Sequence, residues 1–114
     1  MSQYVVSFNG RPGTREKVTP GNTATGITEA IRNPSTGDFK HLLAKAALIQ
    51  NQGSYDAKFC IDGTTPTAAA GTDRGLILAS GDSYAMIGYE SVKNFLVIDN
   101  VSGEACKVEV LCYF

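Results

Sequence analysis

The chain has no tryptophan and a single histidine, His41, among its 114 residues. One imidazole removes most histidine-based catalytic arrangements and most zinc sites. The missing tryptophan takes away a common sugar-stacking platform. Neither sign of charge is in excess: ten Lys and Arg against eleven Asp and Glu leave a formal charge of −1. No electrostatic case for nucleic acid or for an anionic membrane follows. Apolar runs such as Phe95-Leu-Val-Ile98 are far shorter than the ~20 residues that cross a bilayer. The first residues, Met1-Ser-Gln-Tyr-Val-Val-Ser-Phe8, lack the basic start and long apolar stretch of a secretory signal. Cysteine is scarce and odd in number: Cys60, Cys106 and Cys112 make a poor disulfide framework and contain no C-x-x-C spacing. On one extended strand Cys106 and Cys112 would lie about 20 Å apart, too far to bridge. A Cys3His zinc site through His41 is arithmetically available. Three reduced thiols acting as small apolar side chains, in a protein made in a reducing cytoplasm, is the reading the composition favours.

What is present is a core. Apolar residues make up 43% of the chain, which argues against disorder and fits one domain over residues 1–114. Turn signals recur about every ten residues, and the segments between them alternate. Residues 1–8 read as a strand. Residues 9–26 are polar, broken by Asn9-Gly-Arg-Pro-Gly13 and Pro20-Gly21, and read as a loop or arm. Thr25 to Arg32 fits one helical turn or an edge strand. Asn33-Pro-Ser-Thr-Gly37 is a turn. Asp38 to Gln52 is ambiguous, with a strand favoured over Lys45 to Gln50. Tyr55 to Asp62 alternates as a half-buried strand with one wet face. Thr64 to Thr72 is a loop. Further strands are expected at Gly75–Ala79, Ser83–Gly88 and Asn94–Asp99, with Tyr89 to Lys93 as a connection. The last strand, Ala105 to Phe114, turns Cys106, Val108, Val110, Cys112 and Phe114 one way and Lys107, Glu109, Leu111 and Tyr113 the other. Seven to nine short strands predict an all-β fold: an antiparallel β-sandwich, jelly-roll-like, or a small barrel, with an extended N-terminal region.

Motifs for chemistry are thin. Gly71-Thr-Asp-Arg-Gly75 lacks the lysine and helix of a phosphate loop and reads as a turn. Asp56, Asp62, Asp73 and Asp82 lack calcium-loop spacing, and an Asp before Gly needs no metal. No pair of carboxylates stands out for glycoside hydrolysis. Ser80 and Ser83 flank a turn without a nucleophile elbow. His41 reads as a surface or interface residue. No catalytic, cofactor-binding or metal-ligating residue is therefore expected, no cofactor, and no enzyme. The candidate contacts for a protein partner are Arg11, Arg15 and Lys17, a basic cluster diluted by Glu16, with Tyr113 and Phe114 at the apolar end of the last strand.

The second half carries a recurrent order of short pieces. Ala46-Ala-Leu-Ile-Gln50 is followed by Tyr55-Asp-Ala-Lys-Phe-Cys-Ile-Asp-Gly63 and Thr65-Pro-Thr67. Then come Gly75-Leu-Ile-Leu-Ala-Ser-Gly-Asp82, Phe95-Leu-Val-Ile98 and a closing strand ending in aromatics. In this order, over Ala44 to Phe114, the chain resembles small virion proteins of tailed bacteriophages, of the decoration, cement or head-fibre type. The resemblance implies a β-sandwich on the outside of an assembled shell, bound to the major capsid protein and bridging coat subunits, as a homo-oligomer, trimer or dimer. It implies localisation in the virion, no membrane and no direct contact with nucleic acid. It transfers no catalytic residue. The alternatives are another particle component, such as a small coat, neck, tail or fibre subunit, or a carbohydrate- or receptor-binding β module. With the N-terminal region as an arm, removing residues 1–43 is expected to weaken attachment and leave the sandwich folded.

Overall fold

The computed structural model describes residues 10–67 and 74–114. The strand expected over 1–8, and most of the stretch read as a turn at 71–75, lie outside the described residues. Within them the chain forms seven strands: β1 (Pro12–Val18), β2 (Ala46–Asn51), β3 (Ala57–Cys60), β4 (Leu76–Leu78), β5 (Ser83–Ile87), β6 (Leu96–Asp99) and β7 (Val108–Tyr113). Two short helices join them, α1 (Glu29–Arg32) and α2 (Tyr89–Asn94). The strands make two separate antiparallel sheets, one in the order β1-β7-β2-β5 and one in the order β4-β3-β6. The fold is therefore a sandwich and not a closed barrel.

The alternation of β7 explains its central place. Val108, Val110 and Cys112 are fully buried and point between the sheets. In register with them, Asn51, Ile49 and Ala47 of β2 turn the same way. From the opposite sheet Ala57, Phe59, Leu78 and Val97 complete one continuous core with Met86, Val92 and Phe95. The Phe59 ring bridges the layers, with its centroid 5.1 Å from Tyr84 of β5 and 6.0 Å from Phe95. Cys60, Cys106 and Cys112 are free thiols and buried, packed as the small apolar side chains expected of them.

Three elements differ from the sequence reading. Residues 9–26 do not form a loop or arm throughout, because Pro12–Val18 is a strand paired antiparallel to β7. Its composition is polar because it is an edge: only Val18 is fully turned into the core. Pro12 is tolerated as the first strand residue. The register slips by one between Pro12 and Arg15, a bulge that contains Gly13. A Cβ at Gly13 would lie 2.7 Å from the Phe114 ring and 2.9 Å from the Phe39 ring. Those rings stack at 4.8 Å beneath the bulge. The strand expected over Tyr55–Asp62 shortens to Ala57–Cys60 and has no wet face, since all four residues are buried. Residues 61–67 and 74–75 fold back over it. Lys58 is covered there, with its Nζ donating to Thr67 O at 3.0 Å and its stem pressed against Gly75. Tyr89 to Lys93 is not a plain connection but the helix α2, anchored by buried Val92. The region of Thr25 to Arg32 resolves to one helical turn, α1, and Lys45 to Gln50 to a strand, β2.

Side-chain hydrogen bonds brace the layers. The Arg32 guanidinium donates to the Tyr89 hydroxyl at 2.7 Å, joining α1 to α2. Ser80-Gly81-Asp82 makes the tight turn from β4 to β5, with Gly81 in the left-handed region at φ 85°.

Candidate functional site

In a strand, residues two apart share a face. On β1 this puts Arg15 and Lys17 together on the outer face of the four-stranded sheet. Glu16, which dilutes the cluster in the sequence, points the other way. Its carboxylate accepts from the Thr28 N–H at 2.7 Å and from the Thr28 hydroxyl at 2.8 Å. The register continues the face across the sheet. Arg15 stands opposite Leu111, and Leu111 opposite Leu48 and then Ala85. Lys17 stands opposite Glu109, and Glu109 opposite Gln50 and then Ser83. Tyr113 neighbours Ala46 and then Ile87. The result is a surface with a half-buried apolar middle, Leu48, Leu111 and Tyr113, and a basic border on β1.

The electrostatics of this border are partly internal. Arg15 Nε lies 3.8 Å from Glu109 Oε1, an ion pair whose arginine side is 68% exposed. A pair so exposed contributes little to stability, on the order of 0–1 kcal/mol, and leaves the guanidinium free to exchange partners.

The structure divides the five candidate contacts. Arg15, Lys17 and Tyr113 share the outer face. Arg11 is exposed but stands apart, its guanidinium 4.9 Å from the centroid of the Phe39 ring. Phe114 is turned inwards and only 6% exposed. It stacks on Phe39 and fills the space under Gly13, so its ring serves the core rather than the surface. Sequence reasoning missed Leu48, Gln50 and Ile87 as members of the face. Their alternation was visible, but the register that sets them beside Leu111 and Tyr113 joins segments some sixty residues apart.

Elsewhere the arrangement offers little chemistry. Among the described residues no group of three or more His, Cys, Asp or Glu side chains could hold a metal ion. No helix among them is long and apolar enough to cross a membrane. A shallow cleft of about 430 Å³ lies between Glu29, Ala30, Asn33, Pro34, Ser35 and His41. A second, of about 420 Å³, runs along Phe59 to Asp62, Thr64 and Arg74 to Leu76. The Cys106 thiol lies 3.3 Å from Asp99 Oδ1. Burial, helped by the neighbouring carboxylate, pushes its pKa up to about 12. Burial likewise pushes the Cys112 thiol up to about 11. Both stay protonated at neutral pH, the opposite of a nucleophilic cysteine. A scan against protein-family models, a search of curated proteins and a search of solved structures each found no match.

Proposed function

We propose that this chain is a structural protein of a bacteriophage particle, a decoration or cement subunit that binds the outside of the assembled shell and bridges coat subunits. The observation that carries the reading is the outer face of the four-stranded sheet. It is mixed in polarity, bordered by Arg15 and Lys17 and centred on Leu48, Leu111 and Tyr113. Such a face, with an apolar middle beside charged and polar side chains, suits a protein surface. The pieces that resemble small virion proteins supply five of the seven strands, β2, β3, β4, β6 and β7. The near-neutral charge of −1 also suits the exterior of a shell better than a DNA-lined interior.

The test is to mix the purified full chain with expanded, undecorated capsids of the source phage and image them by cryo-electron microscopy. Density at fixed symmetry positions, with the β1/β7 face towards the coat, is the expected result. The double charge reversal Arg15→Glu with Lys17→Glu changes two exposed side chains and should reduce occupancy at least about tenfold while the far-UV spectrum stays unchanged. Bare capsids at saturating protein would overturn the reading.

A further inference from the structure

A two-layer sandwich has four strand edges, and this one treats its two sides differently. On one side both edges are protected. The outer edge of β1 is blunted by Pro12, by the bulge between Pro12 and Arg15 and by the exposed charges of Arg15 and Lys17. The edge of β6 is paired by Thr25, which exchanges two 2.9 Å bonds with Val97, while Asp99 N donates to Gly21 O at 3.0 Å. On the other side lie β5 and β4, joined by the turn at Ser80–Asp82.

The hydrogen-bond alternation of β5 is fixed at both ends. Asn51 N donates to Asp82 O at 2.9 Å, and Gly88 N donates to Lys45 O at 2.7 Å. Even-numbered residues of β5 therefore bond to β2, and the N–H and C=O groups of Ser83, Ala85 and Ile87 point away from the sheet. No described residue bonds to them. The strand Ser-Tyr-Ala-Met-Ile has none of the devices that blunt an edge: no proline, no charge, no bulge. Apolar surface gathers on the same side. Ile87 is 63% exposed, and Leu76 and Ile77 on β4 are 56% and 53% exposed. These are the three most exposed large apolar side chains among the described residues.

We propose that β5 is a homodimerisation edge: two copies pair β5 with β5, antiparallel about a two-fold axis at Ala85, into one continuous sheet. The strand matches itself. Its outward positions are symmetric about Ala85, so Ala85 meets Ala85 of the partner subunit and Ile87 meets Ser83 of the partner subunit. Each outward N–H and C=O then finds its complement. The packing matches too: the small residue lies on the axis, and the large exposed Ile87 faces a small serine on both sides. An uncharged strand brings no like charges together, which a two-fold self-pairing otherwise penalises. A second copy is thus the occupant that the strand's own sequence fits. The inference concerns the isolated chain and does not depend on the capsid reading.

The experiment is sedimentation equilibrium on the full chain up to about 100 µM, enough to fill a dimer of micromolar affinity. Wild type should reach the dimer mass. Ala85→Pro removes an outward N–H that β2 does not use and should weaken association at least about tenfold. Ile87→Lys places a charge on an already exposed position and should do the same. Val101→Lys, on the exposed turn after β6, should leave the dimer intact. Hydrogen exchange supplies a readout without mutation: the amides of Ser83, Ala85 and Ile87 should be protected in concentrated solution and lose protection on dilution. A monomer at every concentration, a trimer, or a dimer indifferent to both β5 variants would each overturn the proposal.

Discussion

Asn51 closes β2 with its side chain fully buried and its amide completely engaged. Nδ2 donates to Tyr55 O at 2.8 Å and to Leu78 O at 3.0 Å, and Oδ1 accepts from Gly53 N at 3.0 Å. Leu78 belongs to the other sheet, so one side chain ties the two layers at their end. Asn51→Leu would strand two carbonyls and an N–H in the interior. A loss of about 3 kcal/mol in urea unfolding is the expected outcome. In the sequence Asn51 stands before Gln52-Gly53 and looks like an ordinary turn residue. Its importance was invisible because its acceptor at Leu78 comes from a distant strand. Cys106 makes a second residue-level prediction. Its folded pKa of about 12 exceeds the ordinary 9.0, and Cys112 is raised in the same direction. The folded state therefore holds these protons more tightly than the unfolded chain. Their stabilising effect is complete below pH 9 and is lost as pH rises through the folded values. Stability should thus fall above about pH 9, and more gently in Cys106→Ala, as read from denaturation midpoints across pH 7 to about 11.

At the scale of elements, the clean periodicities translated directly. The inward row of β7 was legible residue by residue because its alternation is unbroken and both flanking strands bury it. β1 was not, because an edge strand with one buried valine carries no period-two signal, and Pro12-Gly13 mimics a turn. The correction reverses an expectation. Removing residues 1–43 would not trim an arm. It would take away β1, uncover the edge of β7 and remove Val18 and Ile27 from the core. The truncated chain should lose its cooperative thermal transition, followed by circular dichroism. β3 misled in the opposite sense. Lys58 and Asp62 gave the segment a wet face on paper, but the returning loop covers Lys58, and nothing local announces that. The candidate site followed the same rule. In the sequence Arg15 and Lys17 stand out as part of a basic cluster and Tyr113 as part of the apolar end of the last strand. Their meeting on one face required the β1–β7 pairing, which spans nearly the whole chain.

At the scale of the molecule, the sandwich is finished on its β1/β6 side and unfinished on its β4/β5 side. Pairing through β5 would set two outer faces side by side in one sheet. Each copy would then bring its own Arg15, Lys17 and Tyr113 to the same shell, and two modest contacts would act as one stronger attachment. The order of strands has a further consequence, in time rather than space. β7 comes last in chain order among the seven described strands, yet it sits second in its sheet, with β1 on one flank and β2 on the other. A nascent chain that has emerged as far as residue 107 holds two strands whose common neighbour is still inside the ribosome. The four-stranded layer cannot close until β7 has emerged, and β1 must wait, unpaired, for a partner about ninety residues downstream. Such distant pairing belongs to the slow, millisecond-to-second class of folding. The exposed interval before β7 arrives is the period in which this chain most needs the protection of a chaperone.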